Sequence, residues 1–294
     1  ASSYNQVLIR NIRMYEVFEE LLAALNRTGI DCIPMKGIYL AEAVYQDLGL
    51  RHLSDIDLLV HEHDAEAVCQ IMQSKGWELK VAELRSEFEQ EQFSPANPFT
   101  FMKNGVVIEL HVRLFNLNLG LQLSEEALWN QTRNEEFCGG TIRQLTTETL
   151  VVYLCMHLHK HLRGWEAKMV SFCDIRELLI QRGTGFDWNA CKQFCQESAC
   201  HNEVAEVLEI CQKYWWLEVP AFFFDGATID PSIELKFRQF LTGASGQQGQ
   251  VTENLINRSW RHMMSLKGIR AKISFVVGYV FPRPIFMYRH FQLK

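Results

Sequence analysis

Residues Ser54-Asp55-Ile56-Asp57-Leu58-Leu59-Val60 read as a short polar approach followed by an apolar run of the length of a buried strand. In extended backbone alternate side chains share a face, so Asp55 and Asp57 project to one side while Ile56 and Leu58 turn to the other. Two carboxylates side by side repel unless a proton or a cation lies between them. Hard divalent ions such as Mg²⁺ take oxygen ligands of this kind, together with the phosphates of a substrate. The stretch therefore predicts the start of a buried strand that carries a divalent-metal site.

Upstream, Leu8, Ile12, Tyr15, Phe18, Leu22 and Leu25 recur at helical spacing over residues 4 to 27, with Gly29 placed to end the helix. Ile30 to Met35 is a short apolar strand. It runs into a Lys36-Gly37 turn and a helical pattern from Ile38 to Gln46. Downstream, His63 to Lys75 is an amphipathic helix ended by Gly76. Phe99 to Lys103 and Val106 to Val112 then flank Asn104-Gly105, the strongest short-range signal for a tight hairpin. On the second hairpin strand, Val107-Ile108-Glu109-Leu110-His111, Glu109 and His111 share a face, and Glu109 supplies a third carboxylate. Two cations held roughly 4 Å apart by Asp55, Asp57 and Glu109 would suit in-line displacement at phosphorus, with Glu109 taking the proton of an attacking hydroxyl. Lys36 and the turn at Gly37 favour an anion there. Arg51 is placed either to reach a phosphate or to neutralise the acidic pair, and His111 to position an acceptor.

From Thr146 onward the pattern becomes helical: Thr149 to Leu162, Lys168 to Arg182, Asp187 to Ser198 and Asn202 to Tyr214. A boundary is expected near residue 145, after the strand-like Thr141 to Leu145. That gives an α/β (α+β) domain over 1–145 and a mainly helical, cleft-closing domain over 146–294, with Gly243 to Gly249 as a flexible linker. The 48% hydrophobic content of the 294 residues suffices for a substantial core. Nine scattered cysteines without a C-x-x-C pair, behind an N-terminus unlike a leader, point to reduced thiols in the cytoplasm. The apolar run Ile273 to Phe281 falls short of the roughly 20 residues of a spanning helix.

His157 and His161 share a helix face while His159 points elsewhere, so the pair reads as structural histidines lining the cleft. Cys191, Cys195 and Cys200 read as small hydrophobes rather than metal ligands. Residues 254–294 carry eight Lys or Arg and no Asp or Glu, leaving 21 basic against 35 acidic residues elsewhere. Interleaved aromatics in that segment admit a nucleic-acid or anionic membrane surface. Packing against the acidic body is the simpler expectation.

Met35-Lys36-Gly37, Arg51-His52-Leu53-Ser54-Asp55-Ile56-Asp57-Leu58-Leu59-Val60 and Val107-Ile108-Glu109-Leu110-His111 resemble the K-G, R-x-x-x-D-I-D-L-L-V and E-L-H elements of a bacterial nucleotidyltransferase family in the polymerase-β-like superfamily. His161, Trp165, Asp174 and Phe281-Pro282 extend the resemblance along most of the chain. It implies a small mixed sheet with helices, and transfer of a nucleoside monophosphate from an NTP such as ATP to a hydroxyl-type acceptor. It also implies metal binding, by Mg²⁺ or Mn²⁺, at Asp55, Asp57 and Glu109; nucleotide binding by Lys36, Gly37, Arg51 and Ser54; and substrate contacts from His111, His161 and Asp174. Where the superfamily usually has Gly-Ser or Gly-Gly, this chain has Lys36-Gly37. That departure keeps open a second reading, a nucleotide-binding or antitoxin-like protein without turnover. A D-x-D glycosyltransferase is a third. Acceptor and oligomeric state are not legible in the sequence.

Overall fold

The computed structural model describes residues 2–80, 99–114, 125–164 and 167–242. The linker at 243–249, the run at 273–281 and the basic segment 254–294 lie outside the described residues. The chain begins with a long helix, α1 (Ser2–Arg27), which Gly29 terminates at φ 69°. Its buried stripe is Met14, Phe18, Leu21, Leu22 and Leu25, whereas Ile12 is 41% exposed. Tyr15, Phe18, Leu22 and Leu25 are thus buried as expected, and one turn earlier the inward place belongs to Asn11 rather than Ile12.

Asn11 is fully buried and bonds to three backbone groups of the segment that leads into the Asp55-Asp57 stretch. Its Nδ2 donates to the carbonyls of Leu48 at 2.6 Å and Arg51 at 2.7 Å, and its Oδ1 accepts from Leu53 N at 3.3 Å. Arg10, one residue back, donates to the carbonyls of Leu53 at 2.8 Å and Ser54 at 2.9 Å. α1 therefore grips this loop from one side. Asn11→Ala leaves buried backbone groups without partners, at about 1–3 kcal/mol each in the absence of water. A loss of about 2–4 kcal/mol in urea unfolding is expected, against under about 1 kcal/mol for the exposed Ile12→Ala control.

β1 (Cys32–Met35), α2 (Gly37–Ala43), β2 (Ile56–Val60), α3 (Ala65–Ser74), β3 (Glu78–Leu79), β4 (Phe99–Lys103) and β5 (Val106–His111) follow. They build a five-stranded mixed sheet in the order β1-β2-β5-β4-β3. β1 forms an edge, the position at which Pro34 is tolerated without interrupting a ladder. β4 and β5 are the expected hairpin, and Asn104 at φ 51° with Gly105 at φ 78° give the two left-handed residues that a tight two-residue turn requires. β2 and β5 run parallel, pairing Asp57 with Glu109 and Leu59 with His111.

After a short helix, α4 (Glu125–Asn130), the strand expected at 141–145 is found as β7 (Gly140–Leu145), paired with β6 (Thr132–Phe137). β6 is Thr-Arg-Asn-Glu-Glu-Phe, and with one buried side chain in six it carries no apolar pattern to read. The helical expectation holds in α5 (Thr147–Gly164), α6 (Met169–Arg182), α7 (Trp188–Glu197) and α8 (His201–Trp215), joined by α9 (Pro231–Leu241). Asp187 caps α7 and Asp230 caps α9 by accepting from backbone N–H groups of the first turn, with Pro231 at the start of α9.

The other four helices of this half pack on α5, which is buried nearly all round, the property of a central helix. Its one buried histidine, His159, pairs with Glu206 of α8 at 2.7 Å. The change from mixed to all-helical structure falls at residues 145–147. A single contiguous hydrophobic core runs across it, from Met14 on α1 to Phe237 on α9. All nine cysteines are free. Among the described residues no helix is long and apolar enough to cross a membrane.

Candidate active site

The antiparallel register of β1 and β2 sets Met35 opposite Asp57, so the next residue, Lys36, leaves the sheet beside that carboxylate. Lys36 has φ 53° and ψ −123°, a conformation that costs a side chain of this size of the order of 1–3 kcal/mol. The turn aims its ammonium inward, where Nζ lies 2.7 Å from Asp57 Oδ1. On the other side of β2 the parallel register sets Glu109 level with Asp57. His111 Nε2 lies 3.1 Å from Asp57 Oδ1 and 3.8 Å from Glu109 Oε2. Asp57, Glu109 and His111 each offer a ligand atom within 4.8 Å of the others.

Asp57 is buried, and burial alone would push its carboxyl up; the Lys36 ammonium and the His111 ring more than offset this and hold it well below the usual carboxylate range. Glu109 moves the other way, because burial and then the negative charges of Asp57 and Asp55 raise it. Burial opposes charge on Lys36, yet the surrounding Tyr153, Asp57 and Asp55 carry it above the ordinary lysine value. Asp57 thus touches the ammonium while the charges of Asp55 and Glu109 act on it from farther off, leaving an excess of negative charge. His111 Nδ1 is buried with no hydrogen-bond partner among the described residues. Oxygen-rich donors, net negative charge and one imidazole fit a divalent cation of the Mg²⁺ or Mn²⁺ type.

Asp55 precedes β2, half buried, and accepts from the hydroxyl of exposed Ser54 at 2.9 Å. It lies outside the group of three, although its charge reaches Glu109 and Lys36. The group that the structure brings within reach of one cation thus has His111 in the place expected for Asp55, beside Asp57 and Glu109.

Arg51 and Asp174, expected at the nucleotide and at the substrate, are brought together by the structure. Arg51 Nη2 lies 2.7 Å and Nε 3.2 Å from the two carboxylate oxygens of Asp174 on α6, a two-pronged buried pair. Tyr45 donates to the same acid at 2.9 Å. The fork of Arg51 is committed to Asp174, itself 2% exposed, while the charge of Asp55 also reaches the guanidinium. Gly37 belongs to the same contact: a Cβ there would stand 2.5 Å from Arg51 Nη1 and 2.7 Å from Leu53 Cδ2. Glycine is required by the close passage of Arg51 beneath the turn.

His157 and His161 do come to the site. His157 Nε2 lies 3.2 Å from Lys36 Nζ, and His161 Nε2 lies 3.1 Å from the same His157 nitrogen. Burial and the adjacent Lys36 charge hold His157 well below its ordinary value, so the ring is neutral. The i, i+4 spacing made the histidine pair legible; the lysine it meets, 121 positions away, left no local signal.

A family model described as "Uncharacterised nucleotidyltransferase" matches residues 1–215. No match is found among curated proteins. Solved structures with a similar chain path include the crystal structure of ANT(2″)-Ia in complex with adenylyl-2″-tobramycin, at 10% identity and TM-score 0.45 over 64% of this chain and 97% of that one. A solution structure of the antibiotic-resistance factor ANT(2″)-Ia gives 10% identity and TM-score 0.45 over 69% and 100%. An antigenic nucleotidyltransferase-like protein from Paracoccidioides brasiliensis gives 14% identity and TM-score 0.41 over 74% and 95%. The matched segment contains every side chain of the site described above and ends with the last residue of α8, and by that match the chain belongs to the uncharacterised nucleotidyltransferase family.

Proposed function

We propose that the protein transfers a nucleoside monophosphate from an NTP to a hydroxyl-bearing acceptor, with Asp57, Glu109 and His111 holding a divalent cation and Asp55 adding charge beside it. The observation that carries this reading is the level pairing of Asp57 and Glu109 on parallel strands, with His111 and Lys36 closing on Asp57. A cation bound there would neutralise phosphate charge and ease deprotonation of the attacking hydroxyl. Glu109 would take the acceptor proton, a role for which its raised affinity for protons suits it. The acceptor oxygen forms a bond to the α-phosphorus as the bond to the β-phosphate oxygen breaks, and pyrophosphate leaves. Lys36 would place its charge against the phosphates.

The test is pyrophosphate release from each of the four NTPs with a panel of hydroxyl acceptors, in Mg²⁺ and after chelation. Release that requires the metal and falls at least about 100-fold in Glu109→Gln supports the assignment. Release that is unaffected by either change ends it. One observation favours a second reading: the Lys36 ammonium already sits on Asp57, where a fixed positive charge could replace a metal in a nucleotide-binding protein without turnover. Calorimetry that finds equal NTP affinity with and without Mg²⁺, and no pyrophosphate from any acceptor, would select it.

A further inference from the structure

α5 lays Tyr153, His157 and His161 along one face at intervals of four residues, and the middle ring ends 3.2 Å from the Lys36 ammonium. An ammonium only donates, so His157 Nε2 is the acceptor in that contact and its ring proton resides on Nδ1. His161 Nε2, 3.1 Å from that nitrogen, must then carry a proton and donate, since two lone pairs do not meet at this distance. The single lone pair of His157 Nε2 is therefore shared by two donors, Lys36 and His161. A pair serving only as core filler needs no such convergence of three nitrogens. Lysine has a long stem with about 2 kcal/mol of rotamer freedom. Its other partner, Asp57, is the oxygen that a divalent ion would engage.

We infer that His157 is the positioning residue for Lys36: it supplies the lone pair that retains the ammonium at the site when Asp57 is taken up by a cation. The inference rests on the reading of Asp57 and Lys36 given above. It makes α5 a working part of the phosphate-binding apparatus of the α/β half.

The test is a double-mutant cycle in the full chain, combining Lys36→Met with His157→Leu or His157→Gln. It is read as affinity for inorganic triphosphate in Mg²⁺ by calorimetry, and separately as the thermal unfolding midpoint. In the Lys36 background, His157→Leu is expected to weaken triphosphate binding about tenfold, the scale of one charge-assisted hydrogen bond. His157→Gln, whose amide oxygen can accept from the ammonium, restores binding to within about threefold. In the Lys36→Met background His157→Leu has no further effect, and the two substitutions are non-additive in the unfolding midpoint as well. Equal effects of His157→Leu with and without Lys36 in both measurements overturn the inference, as does His157→Gln behaving like His157→Leu. If the parent protein binds no triphosphate yet the unfolding cycle is non-additive, His157 still positions Lys36 and the phosphate-binding reading falls instead.

Discussion

Asp57→Asn is expected to lower the nucleotidyl transfer proposed above by at least about 1,000-fold, the scale on which removing a charged group from an electrostatically organised centre acts. The amide keeps the shape of the carboxylate and an acceptor for Lys36 or His111, so the loss reports charge rather than packing. The same variant changes stability in a telling way. In the parent protein the depressed carboxyl of Asp57 contributes stability that is fully present above its unfolded pKa, roughly 4, and is lost as pH falls below that value. Asparagine removes this component, so the acid side of the stability profile flattens while the neutral plateau drops. Through the metal site proposed above, Mg²⁺ is expected to raise the unfolding midpoint of the parent by mass action on the folded state and to leave that of Asp57→Asn unmoved. Thermal unfolding between pH 3 and 8, with and without Mg²⁺, checks all three outcomes. An unchanged response to Mg²⁺ in the variant would remove Asp57 from the metal site.

Asp174→Ala has the largest expected effect on folding. It leaves the Arg51 guanidinium buried and without its acid, and breaking one side of a buried pair costs about 3–5 kcal/mol. Tyr45 loses its acceptor in the same step. For a chain of this size the unfolding midpoint falls by roughly 10 °C. Arg51→Ala strands the buried carboxylate and is expected to cost a similar amount. The double variant costs clearly less than the sum, because no unpaired charge is left. Tyr45→Phe, removing one hydrogen bond of three, costs about 1–2 kcal/mol. Urea unfolding of the four variants decides it: strictly additive losses would mean that Arg51 and Asp174 stabilise the fold independently.

Much of this was legible in local pattern. β2 lies where the apolar run after Asp55 placed it, and the Asn104-Gly105 hairpin follows from two residues that accept positive φ. Glu109 and His111 were assigned to one face by alternation alone. What local pattern could not supply was register between distant segments. Nothing in residues 54–60 says that β5 pairs in parallel and level, so the approach of His111 to Asp57 has no local signal. Arg51 stands four residues before Asp55 in the chain, which suggested a common site. Its guanidinium instead crosses beneath Gly37 to an acid 123 positions away. In α1 Tyr15, Phe18, Leu22 and Leu25 face the core as the spacing predicts, and only toward the N-terminal end does a buried asparagine holding a loop displace the apolar Ile12. Polar groups with distant partners are where periodicity misleads.

The continuous core and the Arg51–Asp174 pair bear on how such a chain can be inherited and engineered. The strands that carry the acids and the helices that follow are not interchangeable modules. A fragment cut after Leu145 would expose one wall of its own interior and keep a buried arginine with no counter-charge, while Lys36 would lose its imidazole. Recombination at that junction between distant relatives must therefore exchange matched sets: a glycine at 37 with an arginine at 51 and an acid at 174, a lysine at 36 with a histidine at 157.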